Sequence, residues 1–178
     1  MLFRSAVSGR RGALDSAVVS HPSLGLPPPD MTAGFPAAAA RLVAAAPRVG
    51  ARALEIAVAD DPTFSERHDE LALRRLLRDT EVYIERLARS LASDDPSFVR
   101  EWADQVAPLY RRRRVPMDDL VRISEGLRLS TKSVVAPAER GALDAALDEA
   151  VATFRRYRRI AGDARKRNRV IQFIYKGA

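Results

Sequence analysis

LRRLLRDTEVYIERLARSL, residues 73–91, carries the clearest helical period of the chain. Leu73, Leu76, Leu77, Thr80, Ile84, Leu87 and Leu91 recur mostly at intervals of three and four, which places them on one face of a long helix. Ser65 stands where it could cap that helix at its start. On the N-terminal side, Ala37–Ala46 is alanine-rich and helix-prone, Pro47 interrupts it, and Val49–Ala59 resumes with Leu54, Ile56 and Val58. Asp60-Asp61-Pro62 marks a boundary, because a residue before proline is pushed out of the helical region.

On the C-terminal side, Ser93-Asp94-Asp95-Pro96 repeats that punctuation. The next helix carries Phe98, Trp102, Val106, Leu109 and Tyr110, and Pro108 predicts a kink or a break. Arg111-Arg112-Arg113-Arg114 closes it, where cations complement the helix dipole. Val115-Pro116 opens another helix with Met117, Leu120, Ile123 and Leu127 inward, and Ala136-Pro137 ends it. A last helix is predicted from near Ala138 to about Tyr175. No strand pattern competes, so the fold class reads as all-α with a long C-terminal helix.

Composition sets the limits. The 178 residues suit one domain plus linker length. Hydrophobic residues make up 47% but aromatics only 6%, which predicts a Leu, Val and Ile core with a few aromatic anchors. The absence of cysteine excludes disulfides, thiolate metal sites and cysteine nucleophiles. No apolar run approaches the roughly 18 residues that span a bilayer. Residues 1–34 read as a disordered leader with Arg4, Arg10, Arg11 and Pro27-Pro28-Pro29, without the apolar run of a signal peptide, and Met31 is an alternative start.

Charge is segregated. The formal net charge is +7, yet Phe154–Ala178 alone is +8, leaving about −1 for everything before it. The chain thus divides into the leader, a helical domain over 35–153, and a basic helix or tail over 154–178. Along the last helix, Leu143, Leu147, Ala150, Phe154, Tyr157, Ala161, Ala164, Asn168, Ile171 and Tyr175 alternate at spacings of four and three, a heptad-like seam. Phe154, Tyr157, Ala161, Ala164, Asn168 and Ile171 are its candidate dimer positions. Leu143 to Ala150 also suit an ordinary core.

Asp60-Asp61-Pro62-Thr63-Phe64, the helix with Leu76, Asp79 and Leu87, and Arg112-Arg113-Arg114-Val115-Pro116-Met117-Asp118-Asp119-Leu120 together resemble the N-terminal sensor domains of RsbR/RsbRD-type stress regulators. The same module precedes PucR-like bacterial transcription regulators. The resemblance spans roughly residues 50–165. It implies a globin-like helical fold without haem, usually dimeric, passing a signal through its last helix to an output domain. No output domain is expected within these 178 residues, which points to a partner acting in trans or to the basic tail itself. Arg114 stands where that family often has glycine.

Little in the chain points to chemistry. His68, among Arg67, Asp69 and Glu70, reads as a surface residue, and two isolated histidines make no metal site. The acidic pairs Asp60-Asp61, Asp94-Asp95 and Asp118-Asp119 each stand near a helix start and read as caps. No phosphate loop or nucleophile–base constellation is present. The expectation is therefore a non-enzymatic, cytoplasmic regulatory protein with no cofactor. Its contact residues for a partner or an anion would be Arg111, Arg112, Arg113, Arg114, Arg155, Arg156, Arg158, Arg159, Arg165, Lys166, Arg167 and Arg169. Glu125 could partly neutralise the first cluster, and Arg128 and Lys132 would extend it. Expected partners are a second copy and a protein carrying an output domain. Nucleic acid is the alternative, and a membrane surface met through Ile171, Phe173, Ile174 and Tyr175 is the third reading.

Overall fold

Seven α-helices occur among the described residues: α1 (Pro36–Ala44), α2 (Ala46–Asp60), α3 (Phe64–Arg67), α4 (Glu70–Ser93), α5 (Ser97–Arg112), α6 (Met117–Ser130) and α7 (Arg140–Tyr175). The computed structural model describes residues 28–175, with side chains described as far as Arg159. Two 3-10 turns, Thr131–Ser133 and Pro137–Glu139, join α6 to α7. No strand occurs among the described residues, so the class is all-α. No described helix is long and apolar enough to cross a membrane.

The predicted face of α4 is the centre of the molecule. Leu76, Thr80, Tyr83, Ile84, Leu87 and Leu91 are buried, and α4 touches α1, α2, α5 and α7. Its cap is Asp69, whose Oδ1 accepts from the Ala72 N–H at 2.7 Å, and not Ser65, which lies inside α3. At the other end Asp94 takes a left-handed conformation, φ 53°, and closes the helix. Gly34 and Phe35 donate their N–H groups to Ala92 and Leu91 there, at 2.9 and 2.8 Å. The end of the predicted leader is thus tied to α4, while residues 1–27 of it lie outside the described residues.

The alanine content has a packing cause. Gly50, Ala53 and Ala57 of α2 are buried toward α6 and α4. A Cβ built on Gly126 of α6 would stand 2.3 Å from the Ala53 carbonyl oxygen. The two backbones approach this closely only because small residues face each other. The aromatic anchors lie on the opposite side. Trp102 stacks on Tyr83 at 4.4 Å between centroids and meets Phe154 edge-on at 6.3 Å, pairs worth about 0.5–1.5 kcal/mol each beyond their burial. A void of about 10 Å³ remains beside them, room for about one water.

Pro108 does not break α5, which continues from Ser97 to Arg112. Proline has no N–H, so the Asp104 carbonyl one turn earlier loses its helical donor. The Tyr157 hydroxyl of α7 donates to that carbonyl at 3.4 Å, and Arg156 pairs with the Asp104 carboxylate.

Gly126→Ala should cost about 1–3 kcal/mol, because the neighbour in the way is backbone and not a flexible side chain. Urea denaturation followed by circular dichroism checks it; a wild-type midpoint would contradict this close approach.

Candidate functional site: a buried ionic cluster at the start of α6

Asp119 has no exposure to water, although it sits in the first turn of α6. Its Oδ1 accepts from Arg67 at 2.6 Å, and its Oδ2 lies 2.8 Å from His68 Nε2. A carboxylate only accepts, so Nε2 carries the hydrogen. Arg122, one turn on, reaches the same carboxylate at 3.5 Å. Arg67 also holds Asp61 at 2.8 Å, and Arg122 reaches Asp60 and Asp61 at 3.4 and 3.3 Å. The result is one connected network that joins the end of α2 and α3 to α6.

Local sequence explains how these groups are placed. Asp61 Oδ1 accepts from the Thr63 N–H and hydroxyl at 3.0 and 2.7 Å, turning the chain into α3. Phe64 is fully buried and anchors that short helix, with the His68 ring 4.9 Å away and the Arg67 guanidinium over its face at 5.8 Å. Pro116 sets the entry to α6 in an extended conformation, and the first turn then carries Asp118 and Asp119 where the helix dipole favours anions. Arg67 and Thr63 hold the Asp61 carboxyl down at about 2. Asp119 and then Asp61 raise the Arg67 guanidinium further, so it remains charged.

Two expectations are corrected here. His68 is 5% exposed, not a surface residue, because Asp119 gives its ring N–H a buried partner. Capping does not account for all three acidic pairs. Asp61 and Asp95 accept from the N–H groups of Thr63 and Ser97, two residues on, in turns that lead into α3 and α5 and not at the cap positions, which Thr63 and Pro96 hold. Asp94 instead closes α4, Asp118 pairs with Arg158, and Asp119 is the buried centre of the network. Nothing local to the sequence distinguished Asp119 from Asp118. The available signal was that an i, i+3 partner, Arg122, a distant arginine, Arg67, and the His68 ring N–H needed an acceptor.

The arginines expected to make contacts separate into groups. Arg111 and Arg112 are exposed in the last turn of α5. Arg113 pairs with Asp79 at 3.2 Å. Arg114 takes φ 61°, a left-handed turn that favours glycine. Arg156 is held by Asp104 and Arg158 by Asp118 at 2.7 Å, while Arg155 and Arg159 are exposed. Arg128 does not extend a positive surface, since Glu125, Asp144 and Asp148 surround it at 3.1, 2.7 and 2.6 Å. The side chains of Arg165, Lys166, Arg167 and Arg169 lie outside the described residues.

Of the seam, Phe154 is fully buried against its own chain and Tyr157 is half-buried, so neither offers a free face. The reason is that α7 supplies core to α5 and α6 along its first half. Ala161, Ala164, Asn168 and Ile171 lie on a backbone that stays helical to Tyr175, with side chains outside the described residues. No family model, curated protein or solved structure matches this chain.

Asp119→Ala should cost about 3–5 kcal/mol, because it strands the partners of a buried pair, whereas Asp118→Asn should cost under about 1 kcal/mol. Equilibrium denaturation of both variants checks the contrast. Asp61 adds a pH dependence. Its carboxyl lies near 2 in the folded chain against an ordinary 3.8, so its stabilising effect is complete above about pH 4 and is lost as the pH falls toward 2. Asp61→Asn should therefore be less stable than the parent at pH 6, and the gap should close near pH 2 in acid titrations.

Proposed function

We propose that this chain is a non-enzymatic regulatory protein of the RsbR-type sensor kind. It is a bacterial, cytoplasmic, globin-like module that pairs with a second copy through α7 and signals to a protein partner carrying an output domain. One observation carries the reading. The adjacent residues Asp118 and Asp119 hold, respectively, Arg158 of α7 and the Arg67–His68 segment before α4. Two of the three stretches that carry the family resemblance, 60–64 and 112–120, meet in this one cluster.

The mechanism follows from that adjacency. A movement of the 61–69 segment draws on Asp119 at the N-terminus of α6. The neighbouring Asp118 moves with it, and Arg158 feels the change where α7 passes. Since α7 is one helix of 36 residues, a shift there is carried along about 1.5 Å per residue of continuous backbone. The rings of Tyr83, Trp102 and Phe154 fill the interior, which supports a signal read at this joint over one read in a central cavity.

The second reading, a nucleic-acid contact, rests on the +8 net charge of residues 154–178.

Sedimentation velocity at high micromolar concentration should give a dimer. Ala164→Arg should give a monomer with an unchanged circular dichroism spectrum. Binding to a DNA duplex should stay weak at physiological salt. A monomeric parent that binds DNA tightly, losing about 10³-fold or more between 50 and 200 mM salt, would replace this reading with the alternative.

A further inference from the structure

A notch of about 110 Å³ opens between α4 and α5. Val82, Val106 and Leu109 line it above the buried rings of Trp102 and Tyr110. Val82 is 41% and Leu109 43% exposed. Leu71, also exposed, lies about three turns before Val82 on the same side of α4. Three large apolar side chains left open to water thus stand along one face.

The same face is cationic at one end. The Arg113–Asp79 pair, at 3.2 Å, ties the end of α5 to α4 and closes the notch there. Arg75 and Arg78 follow Leu71 at i+4 and i+7 on α4, and Arg112 follows Leu109 at i+3 on α5. All three are exposed, and none pairs with a carboxylate among the described residues. The other acids of these two helices do not neutralise them. Glu70 pairs with Arg74, Asp104 pairs with Arg156, and Glu81 faces Gly50 of α2. Glu85 and Glu101 stand further along, toward the turn that joins the helices.

We infer that this α4–α5 face binds an acidic segment of the partner protein, with apolar side chains on Val82 and Leu109 and carboxylates on Arg75, Arg78 and Arg112. The inference rests on the partner reading above and adds the partner's chemistry. Charge selects this occupant. The chain's own ends have the wrong sign: residues 1–27 carry Arg4, Arg10 and Arg11 against Asp15, and residues 160–178 carry three arginines and two lysines against Asp163. The same face of a second copy would set these arginines against each other. A phosphate backbone would satisfy the arginines and gain nothing from Val82 and Leu109. Exposed charge pairs contribute orientation more than affinity, so the apolar contacts hold the segment and the arginines select its sign and direction.

Peptide selection tests this. A display library of random peptides about 16 residues long is panned on the full-length chain and depleted on the Leu109→Ser/Arg112→Glu chain. Every variant is first checked for wild-type circular dichroism and thermal midpoint, and Val82→Ser replaces Leu109→Ser if the latter fails. The expected peptides are net acidic, with apolar residues three or four apart. Their affinity, read by fluorescence anisotropy, should fall about tenfold with Arg78→Glu and about fivefold with Leu109→Ser. It should stay unchanged with Arg165→Ala/Arg167→Ala in the basic tail. Failure to enrich any peptide, or enrichment of peptides without acids, overturns the inference. Peptides that respond to Arg78→Glu but not to Leu109→Ser also overturn it, since charge alone then holds them. A DNA duplex held tightly through Arg78 and Arg112 and indifferent to Leu109 gives the face to nucleic acid instead. Failure here with a sedimenting dimer overturns this docking face alone, whereas failure with a monomer overturns the dimeric partner reading as well.

Discussion

A carboxylate removed from water has to be paired, and the Asp119 carboxylate has lost all contact with it. Burying it requires hydrogen-bond donors from elsewhere in the chain, and these come from two directions. Arg67 and His68 arrive from the short segment between α2 and α4, and Arg122 from the following turn of α6. Meeting that requirement fixes where three elements stand relative to one another. The pairs further out, Arg67–Asp61 and Arg122–Asp60, are more exposed and extend the network to the surface. Such a cluster contributes less net stability than apolar packing of the same volume. It does penalise any arrangement that separates its members.

The rest of the packing follows from helices of two kinds. α2 and α6 carry small residues at their contact and so come close, with Gly126 against the Ala53 carbonyl. α4, α5 and α7 carry aromatic and branched side chains and stand around Trp102, Tyr83 and Phe154. The aromatic side also repairs a backbone defect. Pro108 leaves the Asp104 carbonyl without a helical donor, and the Tyr157 hydroxyl serves it from the next helix. α7 is therefore held at this level by packing, by that hydrogen bond and by Arg156 and Arg158. Its backbone then continues as helix to Tyr175.

Function in this reading is a matter of which residues face outward from a rigid joint. Asp118 and Asp119 are neighbours in sequence and point to different partners, one to α7 and one to the α3 segment.

The sequence by itself determined the all-α class, the central face of α4, the punctuation by Asp and Pro, and the unbroken run of the last helix. These depend on spacing along the chain and on the backbone limits of proline, which are local. Net charge and its concentration after Phe154 were equally legible. Tertiary structure alone decided that His68 is buried, that Asp119 differs from Asp118, that Pro108 is tolerated, and that Phe154 and Tyr157 belong to the core. Each of these depends on a partner many residues away: Asp119 for His68, Tyr157 for the Asp104 carbonyl, Trp102 for Phe154. A side chain's pattern states which face of its helix it occupies. Only the assembled fold states what that face meets.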